Sequence, residues 1–356
     1  MPVISAVVVS YRSAALASRA IESLRSDAAG AGLTLETIAV VNSGDPQEAR
    51  ALSSAADGVV FPGRNLGFAG GLNAGVEAAR GEILVLANPD VVVREGALAA
   101  LAAEARGPLA AAGPALFLDE GETLHLPPAE EPHPFDLARR GLAGSGAPAA
   151  FRRRFRRARR AAEGAERKET CPATALSGAF VAVSRQTLER VGRFDERYVL
   201  YFEENDWQRR LRKAGGRLSR VGAARVVHRY NQSALLEPRA AGWFASSERR
   251  YFETHFGARG VRALEALATP ASTAAGAPAA VSLSNDVLFF DAPAAAIALS
   301  PVPDFGAFAL DLRASGGSWR PPEDVRRGFG GAAWFVRAVD PKTLDVLAEG
   351  RLEGTS

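Results

Sequence analysis

The first 118 residues switch at short, regular intervals between β-branched apolar runs and segments with helical spacing, and few folds accept that pattern. Val3–Ser10 (VISAVVVS) reads as a strand covered on both faces. Ser13–Ser26 carries Leu16, Ala20, Ile21 and Leu24 at helical spacing. Leu33–Val41 and Gly58–Phe61 read as strands and Ala69–Arg80 as a helix. Glu82–Ala87 is a strand running into Asn88-Pro89-Asp90, followed by a helix at Glu95–Ala105 and a strand at Ala110–Leu118. Strands alternating with helices in this way predict parallel βαβ units. Such sheets bind ligands beyond the carboxyl ends of their strands, where strand order switches. Three polar clusters stand at those ends: Ser10-Tyr11, Asn42-Ser43 and Asn88-Pro89-Asp90.

The pattern breaks between about 119 and 168. This stretch holds Pro127, Pro128, Pro132 and Pro134, then Gly/Ala-rich sequence, then the arginine-rich run Phe151–Arg160, read as a surface excursion with a basic helix near 150–163. The whole chain has 43 Lys and Arg against 40 Asp and Glu, a net charge of +3. Arg139–Lys168 alone carries +9, which leaves −6 for the rest, so a mildly acidic protein bears one strongly basic insert. Beyond it, Thr174–Val183 resumes ordered structure, with helices at Arg185–Val191, Glu203–Ala214 and Ala241–Phe256 and short strands at Arg217–Val221 and Ala224–His228. Thr269–Ala280 has linker composition. Five strand-like segments between Val287 and Leu352 then suggest a small all-β module. The expected organisation is a body of residues 1–257 containing the excursion, a linker at 258–280 and a β-rich module at 281–356. In the module, Trp319, Trp334 and Phe335 either stack on a sugar ring or form its core.

Composition excludes several classes. With 47% hydrophobic residues the chain can bury a sizeable core, so disorder is not its main state. A single cysteine, Cys171, rules out a disulfide scaffold and a cysteine zinc site, and fits a reducing, cytoplasmic setting. No targeting segment or spanning helix is expected, since no uncharged apolar stretch nears the ~18–20 residues a bilayer requires.

Four features carry chemistry. Asn65–Val76 (NLGFAGGLNAGV) is a Gly-rich turn entering a helix, where backbone amides can meet phosphate or ribose, though a tight βα turn would look the same. It is neither a P-loop nor a dinucleotide fingerprint. Asp90, on a tight turn after an apolar strand, can ligate a hard cation or cap the next helix. Glu203, Glu204 and Asp206 place three carboxylates at a helix start, more than capping needs, and one could serve as a general base. His228 ends a strand. His125, His133 and His255 are assigned no role.

The ordered set is more specific than any member. It runs Val-Val-Val-Ser-Tyr (7–11), Val-Val-Asn-Ser (40–43), Asn-Leu-Gly-Phe-Ala-Gly-Gly-Leu-Asn (65–73), Asn-Pro-Asp-Val (88–91), Leu-Ser-Gly-Ala-Phe (176–180), Gly-Arg-Phe-Asp-Glu-Arg-Tyr (192–198), Phe-Glu-Glu-Asn-Asp-Trp (202–207) and Val-Val-His (226–228). This resembles family-2 inverting glycosyltransferases, in particular the bacterial rhamnosyltransferase-like group, over residues 1–257. The resemblance implies a GT-A fold: an α/β, Rossmann-like nucleotide-diphospho-sugar transferase domain, here followed by the all-β module. It implies a metal-dependent hexosyltransferase that moves a sugar, such as rhamnose, from a nucleotide-diphosphate donor to a glycan or lipid-linked acceptor in cell-envelope polysaccharide synthesis. Ser10, Tyr11, Asn42, Asn65 and Asn88 would line the donor. Asp90 matches the second acid of the family's Asp-x-Asp motif, whose first position is Asn88 here. Asp90 and His228 would hold Mg²⁺ or Mn²⁺. Glu204 matches the catalytic-base position, where the family has Asp, and Glu203 is a competing candidate. Adjacent helical residues point ~100° apart, so the two cannot face an acceptor equally.

Two other functions fit less well. A sugar-phosphate nucleotidyltransferase needs a basic phosphate-cradling N-terminal loop, and Tyr11-Arg12-Ser13 offers one basic residue. A non-catalytic nucleotide-sugar or glycan-binding protein would fit the acid lost at position 88 but not the retained carboxylates. The basic insert lacks a nucleic-acid recognition fold, so no nucleic acid is expected. Its phenylalanine-interleaved Arg152–Arg160 suits the anionic inner face of a cell membrane beside a lipid-linked acceptor, giving a cytoplasmic enzyme held peripherally there.

Overall fold

The computed structural model describes residues 4–135, 148–229, 239–267, 283, 286–302, 305, 307–328 and 333–353. In chain order the elements begin β1 (Ile4–Ser10), α1 (Ala14–Gly30), β2 (Leu35–Val41), α2 (Pro46–Ser53), β3 (Gly58–Val60), α3 (Gly67–Ala78), β4 (Ile83–Ala87), β5 (Val91–Val93), α4 (Ala97–Ala105) and β6 (Ala110–Phe117). They continue with α5 (Pro148–Glu166), β7 (Thr170–Pro172), β8 (Phe180–Ser184), α6 (Arg185–Val191), α7 (Glu203–Lys213), β9 (Arg217–His228), α8 (Ala240–Phe256) and α9 (Ala258–Leu267). The last are β10 (Leu288–Phe289), β11 (Ala294–Ser300), β12 (Ala309–Ser315), β13 (Ser318–Trp319), α10 (Glu323–Arg327), β14 (Trp334–Val339) and β15 (Val346–Leu352).

The chain divides into two compact units. The first comprises Met1–Ala115, Ala129–Pro132 and Gly164–Val261. Its strands run in the order β3-β2-β1-β4-β8-β6-β9-β5, with β7 on the side of β9. All seven residues of β1 are buried, as a central strand with covered faces requires. The strands β1, β2, β3 and β4 are parallel, in line with the βαβ expectation. From β8 onward the sheet is mixed, because β8 runs antiparallel to both β4 and β6. The two short strands expected at 217–221 and 224–228 are one twelve-residue strand, β9, which pairs β7 at one end and β5 at the other. Register sets the site: Ser10 aligns with Val41 and Val8 with Ala87, so the carboxyl ends of β1, β2 and β4 lie together. The core under them joins Val7, Val9, Val40, Leu84 and Leu86 to Trp207 and Leu211 of α7.

The second unit comprises Leu116–Pro128, His133–Glu163 and Arg262–Ser356. An antiparallel sheet in the order β12-β11-β14-β15 is accompanied by the pair β10-β13, in keeping with the all-β expectation. Trp319 is buried and donates its indole N–H to Asp311 at 3.0 Å, so it is core rather than a sugar platform. Trp334 and Phe335 also pack on the two core clusters. Residues 258–267, expected within a linker, form α9. Residues 268–280 lie outside the described residues.

The basic excursion does not stand apart from the β module. Phe151, Phe155 and Ala158 of α5 are buried against Ala296, Ala298, Phe308, Leu310 and Val339. Burying each phenylalanine contributes about 1.5–3 kcal/mol. The Arg337 guanidinium lies over the Phe151 ring at 5.1 Å and the Phe305 ring at 4.1 Å, and pairs with Glu349 at 3.0 Å. Arg152 pairs with Asp345, Arg159 with Glu163, and Arg157 donates to the Pro128 carbonyl. Arg153, Arg156 and Arg160, at i, i+3 and i+7, form an exposed stripe on the opposite side of the helix. The phenylalanines that were expected to enter a lipid surface are thus consumed inside the protein, leaving only the arginine face outward. Among the described residues, no helix is long and apolar enough to cross a membrane.

Candidate active site

The site builds up from the three strand ends. After β1, the chain turns at Arg12, whose φ is 53°. Glu48 of α2 braces this turn. Its buried carboxylate accepts from Ser10 Oγ at 2.5 Å, Ser13 N at 2.9 Å and Arg12 N at 3.1 Å, and from Ser43 Oγ. Ser10 is fully buried and spends its hydroxyl on Glu48 and Ser13, so it shapes the turn that presents Tyr11. Glu48 was missed in the sequence, although Asp45-x-x-Glu48 has the spacing of a helix-capping box. Asp45 does cap α2, accepting from Gln47 N at 2.8 Å, while Glu48 turns to the neighbouring strand end instead.

Asn42 follows β2 and is buried. Its Nδ2 donates to Asn65 Oδ1 at 3.2 Å and to the Gly67 carbonyl at 2.9 Å, and its Oδ1 accepts from Leu66 N at 2.8 Å. Asn65 itself is exposed and also accepts from Gly67 N at 2.8 Å. The amide of Asn42 therefore holds the Gly-rich turn in shape. Gly67 is required there: its φ is +76°, and a Cβ would meet the Val199 carbonyl oxygen at 2.8 Å. Phe68 N donates to that same carbonyl at 2.7 Å, and Asn73 binds the backbone of Phe194 and the side chain of Glu196. The Gly-rich turn is thereby fastened to the segment that leads into α7.

That segment ends in Tyr201 and Phe202, both left-handed at φ of 68° and 67°. Two such residues in a row, neither a glycine, store backbone strain of the kind found at functional sites. Glu203 and Glu204 follow at the start of α7. Glu203 is buried and Glu204 half-buried. Asn205 Nδ2 donates to Glu204 Oε1 at 2.8 Å, and no other described residue donates to Oε2 of either glutamate. Burial, then the neighbouring Glu204, pushes the Glu203 carboxyl well above its usual range. Burial also raises Glu204. The third acid of the cluster, Asp206, is structural, since it binds Arg210 Nε and His255 Nε2, each at 2.8 Å. Burial holds His255 below its ordinary pKa despite that partner.

The start of α7 and the β4 end meet at the turn Ser177–Phe180. A Cβ on Gly178 would stand 3.1 Å from Glu204 Cγ, so glycine leaves the space that the glutamate fills. The next residue, Ala179, accepts from Asn88 N at 2.9 Å. Two residues on, Asp90 is buried, and its Oδ1 lies 3.3 Å from Nε2 of His228, also buried. The pairing of Val91 with His228 across β5 and β9 fixes this juxtaposition. Two ligands on adjacent positions of one ion, each bonded at about 2.1 Å, lie ~3 Å apart, so this oxygen–nitrogen pair fits a shared divalent cation. No cluster of three or more such side chains occurs among the described residues.

Residues 2–252 match the family described as glycosyltransferase like family 2. The chain belongs to that family. Two curated relatives of this glycosyltransferase, both N-acetylglucosaminyl-diphospho-decaprenol L-rhamnosyltransferases, come from Mycobacterium tuberculosis strains CDC 1551 / Oshkosh and ATCC 25618 / H37Rv. Each is 34% identical over 156 residues, 44% of this chain and 49% of theirs, so the chain spans about half the length of the curated relatives it matches. Among solved structures, mannosyltransferase PcManGT from Pyrobaculum calidifontis, in complex with GDP-Man and Mn²⁺, is 17% identical with a TM-score of 0.45, covering 75% of this chain and 74% of that one. GalNAc-T7 with UDP, GalNAc and Mn²⁺ is 16% identical with a TM-score of 0.45, covering 63% and 43%.

Proposed function

We propose that this glycosyltransferase moves a sugar, with rhamnose the leading choice, from a nucleotide-diphosphate donor to a glycan or lipid-linked acceptor with inversion at the anomeric carbon. The observation that carries this reading is the Glu203–Glu204 pair at the start of α7, with Glu204 packed on Gly178, whose neighbour Ala179 joins it to the Asn88–Asp90 turn. The rhamnosyl and lipid-linked assignments rest on the relatives that share 34% identity over part of the chain.

The residues divide the work between them. The turn that Glu48 braces and the loop that Asn42 holds would cradle the nucleotide. Glu204 takes the proton from the acceptor hydroxyl as that oxygen attacks the anomeric carbon from the face opposite the leaving diphosphate. A carboxyl with a raised pKa is a stronger base than a solvated one, which suits a weakly acidic hydroxyl. Asp90 and His228 would hold Mg²⁺ or Mn²⁺, which when bound supplies positive charge to the diphosphate. The test is nucleoside diphosphate release from a panel of UDP-, GDP- and dTDP-sugars, with N-acetylglucosaminyl diphosphate on a short prenyl chain as acceptor, in Mn²⁺ and in Mg²⁺. Acceptor-stimulated release with one donor, and an inverted linkage in the product, is expected. Silence across the panel would favour a binding protein with a degenerate site.

The exposed stripe of Arg153, Arg156 and Arg160 supports peripheral attachment to an anionic leaflet, at about 1 kcal/mol per arginine. With Phe151 and Phe155 buried, this contact is electrostatic alone and should fade with salt. Replacing the three arginines by Gln is expected to weaken co-sedimentation with phosphatidylglycerol vesicles ~10²-fold at low salt. Undiminished binding would remove the membrane assignment.

A further inference from the structure

The first two turns of α8 read Ala-Ala-Gly-Trp-Phe-Ala-Ser-Ser (240–247), eight residues without a charge, and most of them face outward. A helix on a protein surface normally turns charged or polar side chains to solvent, and exposed apolar patches mark binding sites. Phe244 is 40% exposed. Its ring packs edge-on to Tyr201 at 5.5 Å and to Phe202 at 5.3 Å between centroids. Trp243 is half-exposed one residue earlier, under the guanidinium of Arg239 at 4.8 Å. The helix cannot drift from this position, because Ser247 Oγ donates to the Leu200 carbonyl at 3.0 Å and the buried Tyr251 packs on Phe202. The aromatic surface therefore adjoins the two left-handed residues that precede Glu203 and Glu204.

We propose that Phe244, braced by Tyr201, forms the platform on which the acceptor's terminal sugar ring stacks, presenting its hydroxyl to Glu204. The proposal rests on the reading of Glu204 as the base. A pyranose has flat patches of C–H on its faces and hydroxyls round its rim, so an aromatic face next to a proton acceptor matches both. Tyr201 stands three residues before Glu204, on the turn that leads into the helix carrying that carboxylate. The platform would choose acceptors by the face they present, and would do so without touching the donor.

Ligand-observed saturation-transfer NMR with methyl glycosides of rhamnose, N-acetylglucosamine, mannose and galactose tests this. The unmodified protein is expected to saturate the ring C–H protons of at least one glycoside. Phe244→Ala should cut that signal at least fivefold, and Phe244→Trp should restore it. Phe289→Ala, which truncates an aromatic residue 71% exposed in the other unit, should leave it unchanged. Phe244 is a surface residue, and thermal melting of each variant confirms that it folds. No saturation of any glycoside, or a signal in Phe244→Ala equal to the unmodified protein's, overturns the platform. Glu204→Gln should keep the signal. If Glu204→Gln also keeps turnover, the base assignment falls while the platform stands, so the two failures are distinguishable.

Discussion

Glu204→Gln is expected to lower sugar transfer ~10²–10⁴-fold with donor affinity unchanged within about twofold, because an amide cannot take the acceptor's proton. Donor binding by isothermal titration and turnover by nucleoside diphosphate release separate the two effects. The neighbouring glutamate has a different signature. Glu203→Leu removes the hydrogen bond by which Glu203 lowers the Glu204 carboxyl, so the acid limb of the pH–rate profile should move to higher pH while some activity persists. The pair also bears on stability. Both carboxyls are raised in the folded chain, which therefore binds their protons more tightly than the unfolded chain does. Their favourable contribution is complete below about pH 4, the ordinary glutamate range, and is lost as pH rises through the raised values. At pH 7 the pair opposes folding, so Glu203→Gln should melt higher than the parent there and equal to it near pH 4. A variant that melts lower at pH 7 would show that the carboxylate forms contacts essential to the fold. Near-normal turnover by Glu204→Gln would pass the base role to Glu203.

Asp90→Asn is expected to cost ~10²–10³-fold in turnover, equivalent to a few kcal/mol of transition-state stabilisation. The geometry supports a large effect because, among the described residues, Asp90 and His228 are the two side chains proposed to hold the ion, and the variant removes one of them. Chelation of the unmodified enzyme should reproduce the loss and excess Mn²⁺ should reverse it, whereas the variant should respond weakly to both. Electron paramagnetic resonance of Mn²⁺ gives a readout independent of turnover, with the bound fraction falling in Asp90→Asn and in His228→Ala. Unaltered Mn²⁺ binding by both variants would sink the assignment of these residues as ligands.

Much of the cluster at the strand ends could be read from the chain because it depends on local signals. Apolar runs ending in polar pairs located the carboxyl ends of β1, β2 and β4, and parallel pairing then brought them together. The Gly-rich turn was visible through its composition, though its binding to Asn42 and its close approach to Val199 were not. Glu48 escaped notice because its partners lie up to 38 residues away, and nothing near it in sequence announces them. Gly178 likewise gains its meaning only when Glu204 fills the space beside it. Asp206 shows the reverse error. Counted with the two glutamates, it looked like part of an acidic device, but an arginine on its own helix and a distant histidine claim it. The amphipathic character of α5 is legible at Phe151, Phe155 and Ala158, but a one-dimensional pattern does not say what covers an apolar face.

The covering of that face has a practical consequence. The body and the tail look separable in sequence, joined by an Ala/Pro/Gly-rich tether that invites shortening. Yet a segment from the middle of the chain shares a core with its last hundred residues. A protein cut at residue 257 would keep α5 and lose the strands that shelter Phe151 and Phe155. It would present a greasy, cationic helix to every nucleic acid and membrane in the lysate. An expression boundary for this enzyme is therefore better chosen by deleting all three pieces of the second unit together than by removing the tail alone.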